Sequence, residues 1–244
     1  MKRRSVLKAT AVFTLAMVTA LPMAAKELRT KLRRVDGSVG KSRRVRINGE
    51  RAWEVTLPPD GREEEIASEA SGRQREELRD YTQTAQGTVR YSIDVLMPPW
   101  DDPDGRLEAK VMFFQLKPRK RRGESFWPYL SVEIPPDYRR AGPKVDFQFD
   151  LGPTMIKQSR SPMAPNRWYQ LQVTVKWSTA SDGYAIVELD DRQIARFDGV
   201  TVTDNSIPLV NFGTYRSHLN ATDPSKLETV QLFFRRYRVE RLSS

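Results

Sequence analysis

A sandwich of two antiparallel β-sheets is the fold this sequence predicts. Three observations carry it. Short runs rich in β-branched and aromatic residues follow one another from Thr88 onward, clusters of Pro, Gly and Asp separate them, and the longest run alternates apolar and polar residues with period two. In that run, Trp168 to Trp177, the residues Tyr169, Leu171, Val173, Val175 and Trp177 share one face, and Gln170, Gln172, Thr174 and Lys176 the other. That is a half-buried antiparallel strand.

Taken in order, Val45 to Leu57 reads as a first strand, closed by the turn signature Pro58-Pro59-Asp60-Gly61. Residues 61 to 80 are rich in Glu and Arg and read as helical on propensity, with Gly72 keeping any helix short. Further strands are expected at Val89–Met97, Leu107–Lys117, Tyr129–Ile134, Lys144–Leu151, Trp168–Trp177, Tyr184–Leu189, Gln193–Phe197, Leu209–Tyr215 and Val230–Val239. Pro98-Pro99, Asp101 to Gly105, Pro135-Pro136, Asp182-Gly183, Asp198-Gly199 and Asp223-Pro224 punctuate them. Trp168 and Trp177 are expected in the core, as most tryptophans of a sandwich are. Trp127 is a candidate for a ring that stacks on a ligand.

At 244 residues the chain can bury a core without disulfide or metal staples, and one domain is the simpler organisation. Lys2, Arg3, Arg4 and Lys8 lead into the apolar stretch Ala9 to Leu21 and then Ala24-Ala25, the form of a signal peptide. Its apolar part is shorter than the ~20 residues a spanning helix needs, so a soluble product without membrane association is expected. Arg3-Arg4-Ser5-Val6-Leu7-Lys8 matches the twin-arginine export motif, which places the protein in the periplasm or outside the cell, although an ordinary secretory signal can also hold two arginines. Cysteine is absent, which excludes thiol catalysis and disulfides.

The formal charge of +10 suggests nucleic acid, but its distribution does not. Four positive charges lie in the leader, and Lys26 to Arg51 carries ten basic residues against Glu27, Asp36 and Glu50, a local +7 that leaves residues 52–244 at −1. A nearly neutral main domain is no generic polyanion binder, so no nucleic-acid partner is expected. The division expected is a leader, residues 1–25, a basic segment, 26–51, read as a solvated tail or linker, and one domain, 52–244, present as a monomer.

Three segments place polar groups two residues apart, on one face of a strand. If extended, Arg75-Glu76-Glu77-Leu78-Arg79 aligns Arg75, Glu77 and Arg79; as a helical turn it would simply be solvated. Phe113-Phe114-Gln115-Leu116-Lys117 pairs Gln115 with Lys117. Asn211-Phe212-Gly213-Thr214-Tyr215 aligns Asn211, Gly213 and Tyr215, the glycine leaving room for something to approach the backbone. Cationic, amide and phenolic groups on one sheet face are equipment for holding a sugar carboxylate.

In order and content these segments resemble the signature strands of the jelly-roll polysaccharide lyases of the alginate-lyase, heparin-lyase-I and glucuronan-lyase types. There they read Arg-Ser/Thr-Glu-Leu-Arg, Gln-Ile/Trp-His and Lys-x-Gly-x-Tyr. Asn166-Arg167-Trp168-Tyr169, Val175-Lys176-Trp177-Ser178 and Asp182-Gly183 are similar too, and the resemblance covers roughly residues 70 to 240. It implies a β-jelly-roll, concanavalin-like sandwich and β-elimination on an acidic, uronate-containing polysaccharide or oligosaccharide. It further implies that Arg75 and Gln115 neutralise the carboxylate and that Tyr215 protonates the leaving oxygen or, ionised, acts as base beside Lys117 or Arg216. Arg79, Asn211, Arg216 and Lys176 would add substrate contacts. Lys117 stands where the pattern has histidine, and Asn211 where it has lysine. The single histidine, His218, is an alternative base.

A binding module that kept the groove and lost turnover is the competing class. Retaining hydrolysis needs paired carboxylates about 5 Å apart, and no such arrangement is legible. No cofactor is expected: one histidine and no cysteine argue against zinc, while a structural calcium would have Asp101, Asp102 and Asp104 to bind it. Arg119-Lys120-Arg121-Arg122 would form either a solvated loop tip or a polyanion-catching rim.

Overall fold

Strand pairing, not helix packing, organises the chain. A computed structural model describes residues 25–35, 38, 40–59, 73–82, 87–99, 109–118, 128–137, 141–149, 155–159, 161–202, 208–217 and 227–243, and every regular element among them is a strand. These are β1 (Ala25–Glu27), β2 (Leu32–Arg34), β3 (Lys41–Ile47), β4 (Glu50–Leu57), β5 (Arg73–Asp80), β6 (Gly87–Leu96), β7 (Val111–Pro118), β8 (Leu130–Ile134), β9 (Lys144–Phe147), β10 (Met155–Gln158), β11 (Trp168–Trp177), β12 (Tyr184–Leu189), β13 (Arg192–Asp198), β14 (Pro208–Ser217) and β15 (Val230–Leu242). One sheet runs β13-β12-β11-β6-β15-β4-β3, with β1 also on β15, and the other runs β10-β9-β8-β7-β14-β5-β2. All described pairings are antiparallel.

The core lies between the sheets. Alternation supplies it: Val89, Tyr91, Ile93 and Val95 of β6 and Leu171, Val173 and Val175 of β11 face Phe114 and Leu116 of β7, Val132 of β8 and Phe212 of β14, all buried. Removing each such side chain from water contributes about 1.5–3 kcal/mol. At one end Tyr129, Phe147, Phe149, Trp177 and Phe197 form an aromatic cluster with centroids 5.1 to 6.1 Å apart. Trp177 is thus core, as expected. Trp168 is not: it lies on the outward parity of β11, where the Arg235 guanidinium sits 4.1 Å from its ring.

Three expectations are corrected. Val45 to Leu57 is not one strand but the hairpin β3–β4, turned by Asn48 (φ 49°) and Gly49 (φ 82°), the left-handed pair that a two-residue turn needs to match strand twist. The Glu- and Arg-rich stretch is extended over β5, and residues 61–72 lie outside the described residues. The basic stretch 26–51 is no tail. Its residues form β2, β3 and most of β1, paired to β5, β4 and β15, so the sheets begin near residue 25.

Strand β10, which antiparallel pairing to β9 forms, was not legible. The leader residues 1–24, the loop 119–122, Trp127, Asp101, Asp102, Asp104 and His218 all lie outside the described residues.

Candidate active site

β7, β14 and β5 are neighbours in that order, and their register sets the site. Across β14 and β5, Asn211 is opposite Arg79, Gly213 opposite Glu77 and Tyr215 opposite Arg75, while Asn211 is opposite Gln115 on β7. Because Phe212 and Leu78 of the same strands point into the core, the odd-numbered residues share the face turned away from it. The three sequence segments are therefore brought together: Arg75, Arg79, Gln115, Lys117, Asn211 and Tyr215 occupy one face.

Glu77 ties the base of this face. Gln115 donates from Nε2 to Glu77 Oε1 at 2.7 Å, Asn211 donates from Nδ2 to Glu77 Oε2 at 3.3 Å, and Arg79 donates from Nε to Asn211 Oδ1 at 2.8 Å. All three of Glu77, Gln115 and Asn211 are at most 1 % exposed. A carboxylate only accepts, so it fixes which way both amides point. Among the described residues the buried Oε1 of Gln115 has no hydrogen-bond partner. Glu77 was absent from the residues expected to act, although its parity between Arg75 and Arg79 was the signal that could have found it.

Tyr215 lies among cations. The Arg75 guanidinium carbon and the Lys117 ammonium are each 5.5 Å from the centroid of its ring. Lys117 pairs in register with Leu209, six positions from Tyr215, and a register shift between Phe212 and Tyr215 separates the two along the β7–β14 ladder. Such irregularities bend strands and re-aim side chains. Gly213 is the permissive point, with φ at 146° and a notional Cβ 2.3 Å from the Glu76 carbonyl oxygen. What approaches this glycine is the backbone of β5.

Two expected contacts do not join the site. Arg216, next to Tyr215, has the opposite parity. It is fully buried, donating from Nη2 to the Glu228 carbonyl at 2.5 Å, and burial pulls its guanidinium pKa down. Lys176 belongs to the other sheet, on its outer face, and its ammonium pairs with Asp182 at 2.7 Å.

The same outward face continues through Ser131 and Glu133 of β8 to Asp146 of β9. Lys110 and Ser131 donate to Glu133 at 2.9 and 3.4 Å, and Gln148 donates to Asp146 Oδ2 at 3.1 Å. Burial pushes the Asp146 carboxyl above the usual carboxylate range, against the Gln148 hydrogen bond, with the Glu133 charge adding to the rise. Among the described residues no group of three or more His, Cys, Asp or Glu is placed to hold a metal.

Solved structures share this architecture. An endo-β-1,4-glucuronan lyase from the fungus Trichoderma reesei aligns with a TM-score of 0.64 at 14 % identity over 86 % of this chain and 90 % of its own. A double variant of alginate lyase A1-II′ aligns at 0.56 and 16 % identity over 79 % of this chain and 80 % of its own. The marine PL7 alginate lyase AlyA1 from Zobellia galactanivorans aligns at 0.52 and 14 % over 79 % and 78 %. At such identities the likeness is one of fold, and it defines the class: a jelly-roll sandwich of the kind these lyases have. No curated protein matches the chain in sequence. The sequence profile of the family described as polysaccharide lyase matches residues 23–234, and the chain belongs to that family. It is a lyase acting on a polysaccharide.

Proposed function

We propose that the substrate is a uronate-containing polysaccharide and that the reaction is β-elimination. The proton leaves C5, next to the carboxylate, its electron pair forms the C4–C5 double bond, and the C4–O bond breaks toward the glycosidic oxygen, which is protonated. Charge that builds on the carboxylate in the transition state needs fixed positive partners, the role of Arg75 and Arg79. Gln115 and Asn211, oriented by Glu77, position the sugar against them. Tyr215 moves the proton, and Arg75 and Lys117 are the counter-charges that its phenolate requires.

The observation that carries this reading is the Tyr215 ring beside two cations, each 5.5 Å from its centroid, on the outward face of the sheet. Around Tyr215 the cations Arg75, Arg79 and Lys117 outnumber the Glu77 carboxylate and suit an acidic glycan, whereas residues 52–244 as a whole are close to neutral. The leader containing Arg3-Arg4 supports export, and the periplasm or the medium is where a polymer of this kind would be met.

The test is a panel of alginate, glucuronan, heparin and pectate, with the ultraviolet absorbance of the unsaturated product as readout. Product from at least one polymer is expected, and Tyr215→Phe should lower its rate by about 10²–10⁴-fold while binding persists. Retained binding without product on the whole panel would replace this reading by that of a binding module, and full activity in Tyr215→Phe would remove the assigned site.

A further inference from the structure

On one side of the sandwich the sheets end in β2 and β3, and between them a cavity of about 250 Å³ opens among Arg44, Arg51, Trp53, Phe212, Arg236 and Tyr237. It is separate from the face just described: Phe212 enters it from the inward side of β14, whereas Asn211 and Tyr215 leave the outward side. Its volume is below the roughly 300–1,000 Å³ of sites for drug-sized ligands, so it suits one sugar ring, not a stretch of chain.

Its charge is unbalanced. Arg43 on the same edge pairs with Glu54, Arg235 with Asp94 and Glu50, and Arg236 with Glu50. Arg44 and Arg51 have no carboxylate partner among the described residues. The Arg44 guanidinium is held 4.4 Å above the Trp53 ring, so the fork is in place before any anion arrives. Arg236 adds a backbone signal. It has φ of 52° at the register shift of β15, a left-handed conformation that a bulky residue adopts only at a cost, and such bulges re-aim side chains.

Exposed arginine forks lacking a counter-anion among the described residues, beside the half-buried Trp53 and Tyr237 rings, form a receptor for a carboxylated pyranose. We propose that this cavity binds one uronate ring of the polysaccharide, as an anchoring site separate from the reacting centre. The inference rests on the acidic-glycan reading above, and it gives the enzyme a second hold on a polymer it is cutting elsewhere. A second hold raises retention by keeping the loose segment at high effective concentration.

The experiment uses the full chain carrying Tyr215→Phe, so that no probe is consumed. Indole N–H signals are followed by NMR, Trp53 being assigned by the signal lost in Trp53→Phe. Short oligomers of glucuronate, of mannuronate and of heparin are titrated in turn, with cellotetraose as the neutral control. The Trp53 signal should shift saturably with at least one acidic oligomer and not with cellotetraose, and Arg44→Ser/Arg51→Ser should weaken that response about tenfold or more. Silence of Trp53 toward every acidic oligomer, or an equal response to cellotetraose, overturns the inference. A shift at the Gly213 amide with Trp53 silent also overturns it while sparing the reacting face. A shift at Trp53 with Gly213 silent upholds it and counts against the proposed active site.

Discussion

Replacing Gly213 by alanine should damage stability and turnover together, because one backbone contact serves both. A methyl group there would lie 2.3 Å from the Glu76 carbonyl oxygen and 2.8 Å from the Glu77 Cα, both inside the 3.0 Å that real Cβ atoms keep. Neither neighbour is a side-chain end that can swing aside, so β14 must move from β5 or change its φ from 146°. Holding alanine in a glycine-only region costs about 1–3 kcal/mol, and overpacking a close contact costs about 1–3 kcal/mol more. The sum, ~4 kcal/mol at its midpoint, is a large part of the roughly 5–15 kcal/mol that a domain has. At about 2–4 °C per kcal/mol for a chain of this size, the melting temperature should fall by ~12 °C. Thermal unfolding by circular dichroism measures it, and turnover is read below the variant's own transition. Activity should fall as well, since the same movement separates Tyr215 from Arg75, its register partner. A variant melting within about 2 °C of the parent with undiminished turnover would refute the reasoning.

Lys117→His should keep or raise activity, and Lys117→Ala should lose most of it, if the ammonium is the counter-charge beside Tyr215; initial rates on the best polymer decide. Asp146, whose folded pKa is raised, holds its proton more tightly folded than unfolded, so its part of the stability is present at low pH and lost as pH rises through the raised value. Asp146→Asn should therefore gain on the parent near neutrality and not in acid, as urea midpoints at the two pH values would show. Arg3→Lys/Arg4→Lys should leave the precursor in the cytoplasm, and unchanged export, read by fractionation, would show that another route is used.

Much of the architecture was legible where one face is buried and the other wet. β11 and β12 have the bounds expected of them, because burial against the second sheet leaves a period-two record in the sequence. Edge strands leave none. β3 reads Lys-Ser-Arg-Arg-Val-Arg-Ile, with both faces reaching solvent, so composition resembled a linker although Asn48-Gly49 announced the turn. In β5, propensity pointed to helix, and pairing to β14 and β2 overrode it.

Parity explains the site equally. It assembled Arg75, Arg79, Gln115, Lys117, Asn211 and Tyr215 and aligned Glu77 with them, though without a role, and it would have removed Arg216 had it been applied throughout. Lys176 was beyond its reach, because which sheet a strand joins depends on long-range pairing.

The position of β15 has a consequence for how the molecule comes into being. The described strand furthest along the sequence sits in the interior of its sheet, between β6 and β4, with β1 alongside. A nascent chain emerging from the ribosome can form β3–β4, yet β4 and β6 each keep an open edge until residues 230–242 arrive. Contacts of such sequence separation make folding slow and expose unpaired edges meanwhile. Joining β3–β4 to the β6 side of this sheet is thus a late event, and a chain lacking residues 230–242 is left with two unpaired edges.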